Sequence, residues 1–210
     1  MRLRNVALVA FVVALVLAGA GALVLRQLAA PVSRLATVTV GAQQLTLSSA
    51  YLRPSGDGAA ELAAFFPDFT PAGGFADVAA GTDLDDRFAR LVFIGLKPAD
   101  PTLDPAERTA RLYQRFLDEN SWSHPGGLVA RAFVDGSPFE GDELFYVAPE
   151  GRNFAARCRR PDPSRKTPNT CIAAFRLGDL DVEFRFAASL LSQWRALKED
   201  ARGLIESAKR

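Results

Sequence analysis

The sequence predicts an α+β fold: an N-terminal transmembrane helix followed by one domain with a mainly antiparallel β-sheet and two main helices. Three observations carry this. Alternating apolar and polar runs follow one another as sequential hairpins, two segments have helical periodicity, and an uncharged stretch fills the N-terminus. The implied organisation is an anchor over 1–26, a juxtamembrane link over 27–34 containing Pro31, and an exported domain over 35–210.

From Val6 to Leu25 no residue is charged or strongly polar. As a helix this stretch spans about 30 Å, the hydrocarbon thickness of a bilayer. Ala18-Gly19-Ala20 and Ala20-Gly21-Ala22 resemble signal-peptide cleavage sites, but the apolar run continues beyond them and closes on Arg26, which favours an uncleaved anchor. Arg2 and Arg4 precede the helix, so the short basic N-terminus stays in the cytoplasm and the rest is exported. The expected topology is a single pass with the C-terminal domain exported. Ala10, Ala14, Ala18 and Ala22 form a small-residue stripe, which is either a helix-pairing face or ordinary alanine content.

Three of the 25 basic residues lie in 1–26, leaving 22 against 24 acids for the remainder. That balance gives no electrostatic case for a nucleic-acid partner. Fifteen phenylalanines among 210 residues supply the apolar bulk of a packed core.

Along the domain, "TVTVGAQQLTLSS" reads as a hairpin turning at Gly41-Ala42. Residues 53–83 are rich in Gly, Pro and Ala; a short helix at Ala59–Phe66 is expected there, with the rest a loop over the core. "RFARLVFIGLKP" reads as a strand ended by Pro98. "DPAERTARLYQRFLDEN" predicts a helix over about 104–119, with Asp104 as N-cap, Pro105 at the first helical position, Glu107 as a capping-box acid, and Tyr113, Phe116 and Leu117 on its buried face. "GLVARAFV", "ELFYVAP" and "NFAARC" are strands. "CIAAFRLGDLDVEFRF" is a hairpin turning at Gly178-Asp179, with Val182, Phe184 and Phe186 on one face and Asp181, Glu183 and Arg185 on the other. Leu190, Trp194, Leu197, Ala201 and Leu204 recur at helical steps, giving a second helix over about 188–208.

Few residues could carry chemistry. His124 is the one histidine, in "SWSHPGG", where a turn role competes with that of a general base. Glu140, Asp142 and Glu143 in "FEGDEL" are either a hairpin tip or a carboxylate set for hydrolysis. Asp83, Asp85 and Asp86 lack the glycine and distal glutamate of a calcium loop. No metal site and no cofactor is predicted.

Both cysteines, Cys158 and Cys171, bound "CRRPDPSRKTPNTC". A dithiol redox site wants two intervening residues at a helix start, and structural zinc wants more soft ligands than the chain offers. A disulfide fits an exported domain and strand-like flanks. Arg159, Arg160, Arg165 and Lys166 make the loop basic, with Arg157 just outside it, while 54–86 holds seven acids and no lysine or arginine. The loop is then a clamped basic finger for a protein or an anionic envelope component. Alternatively, the two runs are solvated surfaces or face each other within the fold.

The runs "HPGGLVARAFVDGSPFEGDELFYVAPEGRNFAARC" and "TCIAAFRLGDLDVEFRF" resemble a group of bacterial envelope proteins with one N-terminal membrane anchor and no assigned activity, over about 86–195. The resemblance implies a bacterial, membrane-anchored, exported domain, single-pass in the inner membrane with the C-terminal domain in the periplasm, and transfers no functional residue. The function expected is a membrane-anchored periplasmic accessory or binding protein. The alternatives are a carboxylate-dependent envelope hydrolase using the acids above or His124, and an inhibitor or immunity-type protein. A small-molecule ligand is left undetermined.

Overall fold

The computed structural model describes residues 34–73, 84–161 and 169–209. The expected anchor, Val6–Leu25, lies outside them, as do Asp83, Arg165 and Lys166. Among the described residues no helix is long and apolar enough to cross a membrane.

The chain opens on a two-stranded antiparallel hairpin, β1 (Leu35–Val40) and β2 (Gln43–Ser48), with the expected turn at Gly41-Ala42. It continues into β3 (Leu52–Arg53), β4 (Ala60–Phe65), β5 (Thr70–Pro71), helix α1 (Leu84–Arg90) and β6 (Leu91–Pro98). After a helical segment over 105–116 come β7 (Trp122–His124), β8 (Leu128–Ala132), β9 (Asp142–Tyr146), β10 (Ala155–Arg159), β11 (Thr170–Leu177), β12 (Leu180–Ala187) and the C-terminal helix α2 (Trp194–Ala208). One ten-stranded sheet runs β3-β4-β6-β12-β11-β10-β9-β8-β7, with β5 beside β4. Its pairings are antiparallel.

Strand alternation divides the sheet into two unlike faces. On the first face, Leu62, Ile94, Leu96, Val182, Phe184 and Phe186 are 0–2 % exposed and pack with Trp194, Leu197, Ala201 and Ile205 of α2 and with Leu45 of the β1–β2 hairpin. The Trp194 indole donates to the Gly126 carbonyl at 3.0 Å, tying α2 to the β7–β8 turn. The second face carries a smaller cluster over β8 and β9: Leu117, Phe133, Leu144 and Tyr146, with Tyr113, Phe116 and Phe139 against it.

Four expectations need correction. Ala59–Phe66 is not a helix. Its alanine content favours one, but Ala60, Leu62 and Ala64 alternate into the core and the segment pairs with β6, so burial and cross-strand pairing override propensity. The long 53–83 loop therefore holds β4 and β5, while 74–83 lies outside the described residues. The strand expected from Arg87 begins only at Leu91. Before it, Asp85 and Asp86 in the first turn of α1 and Arg87 and Arg90 in its last turn oppose the helix dipole with the right signs, and Asp86 pairs with Arg90 at 3.6 Å.

The 104–119 helix is instead three short turns, Pro105–Glu107, Thr109–Tyr113 and Gln114–Phe116. Asp104 does cap it, accepting from the Ala106 N–H at 2.8 Å. Glu107 does not reach back; it pairs with Arg111 at 3.3 Å and Arg152 at 3.7 Å. The positions turned inward, Pro105, Thr109, Tyr113 and Leu117, recur every fourth residue. A 3.6-residue period would rotate them progressively off the sheet, and the wider π winding at Thr109–Tyr113 keeps them on it. Finally, α2 is regular only from Trp194; Ala188–Gln193 is a 3₁₀ turn.

Candidate functional site

The candidate site lies where β9, β10 and β11 meet the 105–116 segment on the second face. Cys158 and Cys171 are directly opposed across the β10–β11 pair, and their sulfurs are bonded. Both cysteines are buried on the core side of the sheet. The bond closes the base of the loop, whose portion over 162–168 lies outside the described residues.

Two groups that appeared separate in the sequence meet at this base. Asp142 sits opposite Arg159 in the β9–β10 register. Its carboxylate pairs with Arg157 through one oxygen and with Arg159, at 3.5 Å, through the other. Glu143 pairs with Arg160 at 3.6 Å, and the Arg160 N–H donates to the Gly141 carbonyl at 2.9 Å. Among the described residues, the acids that balance Arg159 and Arg160 thus come from "FEGDEL" and not from the acidic stretch. In the acidic stretch, Glu61 pairs with Arg185 at 3.6 Å across the second face.

The other expected catalytic groups are dispersed. Glu140 accepts from the Gly136 N–H at 2.8 Å and closes the β8–β9 turn. Asp142 and Glu143 are neighbours on one strand and project to opposite faces. His124 donates from Nδ1 to the Pro125 carbonyl at 2.9 Å and packs edge-on against Phe145 with ring centroids 5.0 Å apart. Turn-stabilising bonds occupy His124 and Glu140, and guanidinium pairing occupies the two strand acids.

Aromatic rings flank Arg157. The Arg157 guanidinium lies over the Phe139 ring at 5.3 Å, and Tyr113 meets Phe133 and Phe139 edge-on at 5.6 and 5.1 Å. Beside this group, under the 105–116 segment, is a cavity of about 250 Å³ lined by Arg108, Tyr113, Arg157, Ile172, Ala174 and Glu183. The segment is held in place at its start by Arg176. This arginine bonds both oxygens of Asp181, at 2.8 and 3.1 Å, donates to the Asp100 carbonyl at 2.7 Å and pairs with the capping Asp104 at 3.5 Å. The hydrogen bond to Asp181 is the largest influence raising the Arg176 pKa. Composition marked Arg159 and Arg160, but Arg108, Tyr113, Phe139 and Glu183 were missed. The odd-numbered alternation of "LDVEF" was the one sequence signal for Glu183 on the outward face.

A second, open cleft of about 360 Å³ separates the turn at Pro67–Phe69 from α2 and holds Asp68, Glu199 and Asp200. Burial, then the neighbouring Glu199, pushes the Asp200 carboxyl above its usual range.

With this geometry in view, comparison with known proteins places the architecture. An immunity protein of the Stenotrophomonas maltophilia type IV secretion system superposes with a TM-score of 0.59 and 15 % identity, over 85 % of this chain and 94 % of that one. This chain shares its fold. The Neisseria meningitidis iron-regulated outer membrane lipoprotein FrpD superposes with a TM-score of 0.47 and 11 % identity, over 84 % of this chain and 92 % of that one. No protein-family model matches the chain. No curated protein matches it in sequence.

Proposed function

We propose that this chain is an exported accessory protein of the bacterial envelope whose β9–β11 rim binds a protein partner, as an immunity-type protein does. In this reading residues 6–25 tether it to the inner membrane and the domain stands in the periplasm. The observation that carries the reading is the composition of the rim. Arg157 lies over Phe139, which Tyr113 meets edge-on, and Arg159 and Arg160 follow it along the same strand end at a disulfide-closed loop base. Arginine and aromatic residues are those most enriched at protein interfaces and their hot spots. A cross-strand disulfide suits an oxidising compartment, and the shared fold of the immunity protein is compatible with this role. The hydrolase reading draws no support from a dispersed His124, Glu140, Asp142 and Glu143.

The basic residues of the finger, Arg159, Arg160, Arg165 and Lys166, form the binding set. Arg159 and Arg160 also balance Asp142 and Glu143, so they and the tip should be tested apart. An R165Q/K166Q variant is expected to capture at least about tenfold less partner in a native-membrane pull-down, the loss of one or two charge-assisted contacts. Its thermal midpoint should match wild type. Undiminished capture by R165Q/K166Q and by R159Q/R160Q together removes the finger from the interface.

A further inference from the structure

The cavity under the 105–116 segment has a charge pattern that the fold leaves uncompensated. Arg108 lines it from the segment and makes no ion pair among the described residues. Arg157 lines it from β10; one of its terminal nitrogens serves Asp142, while its Nε is shielded from solvent and has no hydrogen-bond partner. A shielded guanidinium N–H without an acceptor is costly, and an incoming acceptor would recover that cost. Ile172 and Ala174 form an apolar floor from alternate positions of β11. The small Ala174 side chain leaves the space open. Glu183, adjacent to Ala174 in the β11–β12 register, completes the wall and has no ion pair among the described residues.

Two guanidiniums that keep unpaired donors can hold a planar oxyanion between them. Glu183 and Asp142 weigh against a doubly charged phosphate, and a volume near 250 Å³ suits one side chain or chain end rather than a whole cofactor. Glu183 can also accept the N–H groups that accompany a carboxylate in a polypeptide. We infer that this cavity is the carboxylate subsite of the partner-binding rim, taking an acidic side chain or a free C-terminal carboxylate of the bound polypeptide. The inference rests on the protein-partner reading above and names the chemistry of its anchor.

The test uses full-length protein in detergent and saturation-transfer NMR with three peptides: Ac-Ala-Glu-Ala-NH₂, Ac-Ala-Ala-Ala-OH and the neutral Ac-Ala-Gln-Ala-NH₂. At least one carboxylate peptide should bind about tenfold more tightly than the neutral one, as a charge-assisted pair implies. The peptide preferred tells a side-chain from a C-terminal source. Arg108→Gln should abolish the preference with an unchanged thermal midpoint, and Ala174→Leu, which fills the floor, should weaken both carboxylate peptides. Equal binding of all three peptides, or a preference that survives in R108Q, overturns the subsite. If R165Q/K166Q lowers partner capture while R108Q does not, the subsite fails and the partner reading stands. If carboxylate selectivity holds in R108-dependent form without any partner capture, the subsite stands and the partner reading fails.

Discussion

Replacing Phe184 with alanine is expected to cost about 3–5 kcal/mol of folding stability, the usual range for a buried phenylalanine. Phe184 is 1 % exposed, pairs with Ala173 and Ile94 on the flanking strands, and lies 6.0, 5.5 and 6.5 Å from the rings of Phe175, Phe186 and Phe154. Its neighbours are fixed by sheet hydrogen bonds on both sides, so the cavity cannot collapse cheaply. In urea the midpoint should fall by about 2 M for a slope near 2 kcal/mol/M, with the slope unchanged. The adjacent Arg185 makes the control. Its side chain is 49 % exposed and pairs with Glu61 at 3.6 Å, so Arg185→Ala should cost under about 1 kcal/mol. Equal costs at the two positions would contradict the assignment of the core to the α2 side of the sheet.

The second large effect is loss of the disulfide. Cys158 and Cys171 are separated by 13 positions, and closing a loop of that size removes about 3 kcal/mol of chain entropy from the unfolded state. Reduction of the wild type should lower stability by about this amount. The double variant Cys158→Ala/Cys171→Ala should lose at least as much, because it also removes two side chains 2 % and 0 % exposed. Comparing the two by urea unfolding separates loop closure from packing. A midpoint insensitive to reductant would mean that β10–β11 pairing alone fixes the loop base. If the rim works as proposed, reduction should also weaken partner capture, since the finger then loses its clamp.

The sequence made the hairpins legible because their code is local. Period-two alternation in "CIAAFRLGDLDVEFRF" and the Gly-containing turns specify strands, register and inward faces without reference to distant residues. The α2 face was equally plain, as Trp194, Leu197 and Ala201 are buried at helical spacing. What was hidden depended on tertiary partners. Ala60–Phe65 becomes a strand because β6 lies beside it, and the 105–116 turns follow a four-residue spacing that only the sheet beneath explains. The candidate site was legible in fragments. Spacing identified the cysteines and composition identified Arg159 and Arg160. That Asp142 and Glu143 pair with the arginines of their own loop base follows from the strand order, and that Arg108 shares a cavity with Arg157 and Glu183 follows from the packing of the 105–116 segment on the sheet.

The central claim, that the rim on the second face meets a protein partner, is tested most directly by site-specific photocrosslinking in native membranes. A photoreactive residue is placed in turn at Thr170, beside the disulfide, and at Ala196, on the outer surface of α2; both positions are exposed. The expected result is a discrete protein adduct from position 170, diminished by R165Q/K166Q, and none from position 196. Adducts of equal yield from both positions, or none from position 170, would contradict the account.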